Sequence, residues 1–175
     1  TRVATFQLGR ENGGGPHDLL AKAVDLGGAH RLTHAVKDKD GWQNLGTYNR
    51  YQAEEFGRFV SKLKNTNEPK GEGNMLDNTF AMHGSASSSF HLSRNYPIIS
   101  AGGKNLGFAN GRYLNYASFL EDGSLPGAGV ISDAGWRSKV GQEEPPLAKL
   151  FVSILQRLGV GTDSFAGYSG TLERV

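Results

Sequence analysis

Leu76-Asp77-Asn78-Thr79-Phe80-Ala81-Met82-His83-Gly84-Ser85, then a serine run and His91, then Asn95-Tyr96-Pro97-Ile98-Ile99-Ser100-Ala101-Gly102-Gly103, is the stretch that decides the fold. Two short apolar runs flank a polar turn that carries a histidine. Each run is too short for a core helix, and its bounding Asn, Gly and Ser residues predict a buried strand. A polar, Gly/Ser-rich connection leaving the end of a buried strand is where α/β proteins place their ligand sites. The stretch therefore predicts both an architecture and a location for function.

The flanking sequence supplies helices. In residues 45–64, Phe56, Phe59, Val60 and Leu63 follow the i, i+3, i+4, i+7 rule, and Tyr48 extends the same face backwards. Gly57 inside this helix costs about 1 kcal/mol against Ala, which suggests a close approach to a sheet. Residues 147–158 carry an apolar stripe of Leu147, Leu150, Phe151, Ile154, Leu155 and Leu158. Pro146 suits its first turn and Gly159 its C′ position. Residues 3–8 read as a first strand, and 17–26 as a short helix that Gly27-Gly28 stops. Residues 30–46 read as polar and irregular, and 112–114 as a further short strand. Residues 121–144, rich in glycine and poor in apolar side chains, read as a long loop or insertion. The order strand, helix, strand, strand, helix predicts an α/β layered fold over residues 1–175 as one domain.

The composition removes several function classes. With 175 residues, 37% hydrophobic and 21% charged, the chain has enough material for one domain with a core. A net charge of +2 and the lack of any basic run argue against nucleic acid as a partner. The absence of cysteine excludes disulfides, thiolate nucleophiles, iron–sulfur clusters and Cys-based zinc sites. No apolar run approaches the ~18 residues of a membrane span. The chain starts at Thr1, directly on strand-like residues, so a processed or partial chain is the expectation.

Three places hold histidines with a chemical reading. His30 and His34 are four apart; on a helix they would share one face and could bind a metal, whereas the preceding Gly27-Gly28 points to two polar loop histidines. His83 falls inside a strand and reads as a hydrogen-bonded core residue. His91 sits in the polar turn with Arg94 and Asn95, and that set could hold an anion, because Arg and Asn donate hydrogen bonds to oxyanions. Gly84-Ser85-Ala86-Ser87-Ser88 lacks the second glycine of a nucleophile elbow. Ala101-Gly102-Gly103-Lys104 fits neither a P-loop nor a dinucleotide fingerprint.

Taken in order, these residues resemble a known family. His30-Arg31-Leu32-Thr33-His34-Ala35 looks like the signature of the HXXSHH proteins, a group of exported bacterial proteins. The helix from Tyr48-Asn49-Arg50 to Lys62-Leu63-Lys64, the run Leu76-Asp77-Asn78-Thr79 leading to Gly84-Ser85, and His91, Asn95 and Pro97 before Ala101-Gly102-Gly103 are similar to the family's sequence of elements. The end of the chain, from Pro146-Leu147 to Ser169-Gly170, resembles the family's end. The likeness covers nearly all of this chain and the later part of a family member. That family is similar in turn to the alkaline phosphatase and sulfatase superfamily.

The resemblance implies a three-layer α/β fold like the C-terminal part of an alkaline-phosphatase-like protein, and export to the periplasm or cell surface. It also shows departures. Ala35 stands where the signature has a third histidine, Ala86 and Ser87 where sulfatases place a metal-binding pair, and Ser93 where a further family histidine falls. The resulting expectation is a non-catalytic, degenerate domain acting as a binding or structural component, with no cofactor and no tight metal. The alternative is a metal-dependent phosphate or sulfate ester hydrolase completed by a further N-terminal segment, with His30, His34 and His91 as ligands. Expected partners are other proteins of an exported assembly and a small anion. The anion site would form where the turn bearing His91, Arg94 and Asn95 meets the segment bearing His30 and His34.

Overall fold

The computed structural model describes residues 3–6, 18–85, 96–114, 116 and 146–172. The chain is mixed helix and sheet, with small antiparallel sheets. It divides into two compact units, Thr1–Lys62 and Leu63–Val175.

The first unit is helical. Helix α1 spans Leu19–Ala23, α2 spans Ala29–His34, a 3₁₀ turn covers Ala35–Lys37, and α3 begins at Gly41 and runs to Lys64. Its core joins Ala21, Leu32 and Tyr48, one residue from each helix, with Leu20, Leu26, Ala29 and Leu45 packed around them. Asp18 organises this core. Its carboxylate accepts the Ala21 N–H at 3.0 Å as the cap of α1, and the Ala29 N–H at 2.9 Å at the start of α2. Two helix N-termini, each with N–H groups lacking an intrahelical acceptor, are thereby satisfied by one side chain. Asp18 is itself buried and faces the Tyr48 phenol of α3.

The second unit holds the two apolar runs that open the sequence. They form strands β1, Phe80–Gly84, and β2, Ile98–Gly102, paired antiparallel from Phe80↔Gly102 to Gly84↔Ile98. Ala81 is buried, and the remaining strand residues are half-buried or exposed, so these are strands of a thin ribbon rather than of a deep core. Phe80 stacks on Phe108 at 4.0 Å between ring centres, and the Arg157 guanidinium lies 5.3 Å over the Phe108 ring. Arg157 also donates to the Gly107 carbonyl, which ties the end of the last helix to the segment following β2.

That helix, α4, spans Leu147–Arg157 and packs on a tight hairpin of β3, Ser164–Phe165, and β4, Tyr168–Ser169. Phe151 meets Phe165 at 5.2 Å. The helix ends as a Schellman motif: Val160 N–H reaches the Leu155 carbonyl at 2.9 Å, Gly159 N–H reaches Gln156 at 3.0 Å, and Gly159 takes φ +81°.

Several sequence expectations change. Residues 3–6 form no strand, and Val3 and Phe6 are exposed; among the described residues nothing pairs with them. Residues 112–114 are irregular, because three residues after a left-handed Gly111 are too few to hold a strand without a partner. The α4 stripe is correct at Leu150, but Val152, at 0% exposure, and Ser153 are buried as well. The added cover over Ser153 is Leu172: the Ser153 hydroxyl accepts its N–H at 2.8 Å while bonding back to the Lys149 carbonyl. Gly57 does not mark close packing: a Cβ there would meet nothing within 4 Å. The expected insertion at 121–144 lies outside the described residues. Among the described residues, no helix is long and apolar enough to cross a membrane.

Candidate functional site

The residues read as an irregular loop at the start of 30–46 are helical, and the reason is Asp18. Gly28, the N-cap of α2, has no side chain to offer the first turn. Asp18, eleven positions earlier, supplies that acceptor through space, a cap that local sequence inspection does not reveal. Leu32 then anchors α2 in the core beside Ala21 and Tyr48. His30 and His34 fall on the opposite side of the helix from Leu32, since residues four apart lie about 40° apart in projection and two apart about 200°. His30 is half-buried and His34 exposed. Their rings stand 4.7 Å apart, with planes inclined at 52°. The Thr33 hydroxyl bonds back to the His30 carbonyl at 2.7 Å, closing the turn between them.

Burial raises the Tyr48 phenol above its ordinary 10.0, and the Asp18 carboxylate adds to the effect; the Gln52 amide, donating to the phenol oxygen at 3.1 Å, works against it. The neutral phenol is thus the form that fits beside Asp18.

In the second unit a different polar set comes together. Asn105 donates to the Asn78 amide oxygen at 3.1 Å, and Asn78 donates to Glu68 at 3.1 Å. Asn78 closes a 3₁₀ turn, Met75–Asn78, that is fixed by a reciprocal capping box: Asp77 N–H bonds the Asn74 side chain at 3.2 Å, and Asn74 N–H bonds the Asp77 carboxylate at 3.3 Å. Together with Lys70, Gly71 and Glu72, the three residues line an open groove of about 390 Å³. The donor chain runs one way and terminates on a carboxylate, so its role within the groove is to hold the 3₁₀ turn, the segment after β2 and the Glu68 loop in fixed relation. Neither Glu68 nor Asn105 stands in a motif that marks it as part of a site. The Asn74-x-x-Asp77 spacing was the available signal for the turn, and the pairing with Asn105, across 27 positions, has no local signature.

Of the five site residues expected from the sequence, His30 and His34 come together on α2 in the first unit. His91, Arg94 and Asn95 lie outside the described residues, as do Ala86 and Ser87. His83 is half-buried in β1, directly opposite Ile99. No group of three or more His, Asp or Glu side chains with metal-binding placement occurs among the described residues. Compared with protein-family models, curated proteins and solved structures, the chain matches none.

Proposed function

We propose that this chain is a binding or structural component of an exported protein or assembly, built on a three-layer fold related to the C-terminal part of the alkaline-phosphatase-like HXXSHH proteins, and that it does not itself hydrolyse esters. The observation that carries the reading is the β1–β2 ribbon. It contains two strands among the described residues, with Met82 39% and Ile99 49% exposed on its opposite faces. A two-stranded ribbon is marginal on its own in water. Among the described residues no further strand pairs with its outer edges, which a strand from a partner could extend. A partner strand beside β1 would pair that edge and pack against Met82, and one beside β2 would do the same for Ile99. The replacement of potential ligands by Ala35, Ala86 and Ser87 supports the non-catalytic half of the reading.

The test compares the parent chain with a Met82→Lys/Ile99→Lys variant of equal helicity. Chemical cross-linking in the envelope fraction of the source cell should give a defined partner band with the parent and lose it with the variant. In parallel, hydrolysis of p-nitrophenyl phosphate and sulfate is measured with added zinc or manganese. A turnover that disappears in His34→Ala would refute the non-catalytic reading.

A further inference from the structure

The placement of His30 and His34 on one helix face gives them a geometry with a specific chemical meaning. An imidazole bound to a divalent ion through nitrogen at about 2.0–2.1 Å has its ring centre about 3.2 Å from the ion. Two such rings separated by about 90–110° at the ion have centres about 4.5–5.2 Å apart. The observed separation of 4.7 Å lies within that interval. The helix that carries the pair is anchored just before it and between its two members: the Ala29 N–H is held by Asp18, and Leu32 is buried in the core. The helix that sets the spacing of the two rings is therefore already formed before an ion binds.

We propose that His30 and His34 form a two-imidazole chelate on α2 for a borderline divalent ion, Ni²⁺, Cu²⁺ or Zn²⁺. Imidazole suits these ions, whereas Mg²⁺ and Ca²⁺ require oxygen ligands. Among the described residues no third His, Asp or Glu joins the pair, which leaves the remaining coordination positions to water. The site is thus open and exchangeable, unlike a structural zinc centre with four protein ligands. The proposal is independent of the docking role of the β1–β2 ribbon, which lies in the other unit.

The probe is NiCl₂ added to the full chain and followed by isothermal titration calorimetry. One ion per chain is expected. His30→Gln and His34→Gln should each weaken binding at least tenfold, while His17→Gln, His83→Gln and His91→Gln stay within twofold of the parent. Because a substitution in α2 can disturb the helix, a second measurement uses the unaltered chain. Diethyl pyrocarbonate labelling, mapped by mass spectrometry, should slow at both His30 and His34 when Ni²⁺ is present and stay unchanged at the other three histidines. Binding within twofold of the parent in a helical His30→Gln or His34→Gln variant overturns the chelate. So does an unchanged labelling rate at either residue, or a tenfold loss on replacing His91.

Discussion

At the scale of single residues, glycine is used in two opposite ways. Gly102 takes φ +84°, and a Cβ built there would sit 2.2 Å from the Thr79 carbonyl oxygen and 2.7 Å from that of Leu76. Both obstacles are backbone, so they cannot rotate away. Gly102→Ala is expected to cost about 2–5 kcal/mol from left-handed strain and overpacking together. Gly57 lies in the interior of α3 with open space where a Cβ would project. Gly57→Ala is expected to gain about 0.5–1 kcal/mol. Urea unfolding of the two variants should move the midpoint in opposite directions, and a loss from Gly57→Ala would mean that its face is covered. Tyr48 provides a pH-dependent counterpart. Its folded-state pKa lies above the unfolded value of 10.0, so the native state binds more protons above that pH. The resulting stability is complete below pH 10 and is lost as pH rises through the raised native value. Tyr48→Phe removes this titration, so the stability difference between parent and variant should narrow as pH rises above 10, as urea midpoints would record.

At the scale of elements, α4 separates what sequence pattern conveys from what it does not. Leu150 was legible as core, and so was the end of the helix at Gly159, because apolar periodicity and a left-handed cap are local properties. The burial of Val152 and Ser153 was not, because it depends on which distant segments cover the flank of the helix. Leu150→Ala is expected to cost about 2–5 kcal/mol, and Leu158→Ala, at a half-buried C-cap position, distinctly less. Equal shifts in the thermal midpoints would return the stripe to its simplest form, with Leu158 as deep as Leu150. The same distinction explains α2. Its residues looked irregular because the cap they need comes from Asp18, outside any window centred on Gly28. For the candidate site, the types and spacing of His30 and His34 were legible, but the helix that makes the spacing meaningful was not. The Glu68–Asn78–Asn105 chain was not legible in the sequence, because its members are ordinary polar residues far apart along it.

At the scale of the whole molecule, the helices of the first unit and the β1–β2 ribbon of the second differ in the range of their backbone hydrogen bonds. In α1 to α3 these bonds join residues four apart, although the core they build joins Ala21 to Tyr48. In the second, β1 and β2 are joined by residues 85–97, a connection well beyond the usual two to five of a hairpin loop. A longer loop carries a larger entropic cost before its first pairing contact is rewarded. Contacts between near neighbours form early, and non-local strand pairing forms late. Time matters as well as architecture, since the N-terminal part of a chain also leaves the ribosome first. Pulse-labelled hydrogen exchange during refolding should find the amides of α1 to α3 protected before those of β1 and β2. The strand edges would then stay open longest in the nascent chain, so a partner or a chaperone that recognises extended backbone has its best opportunity before folding is complete.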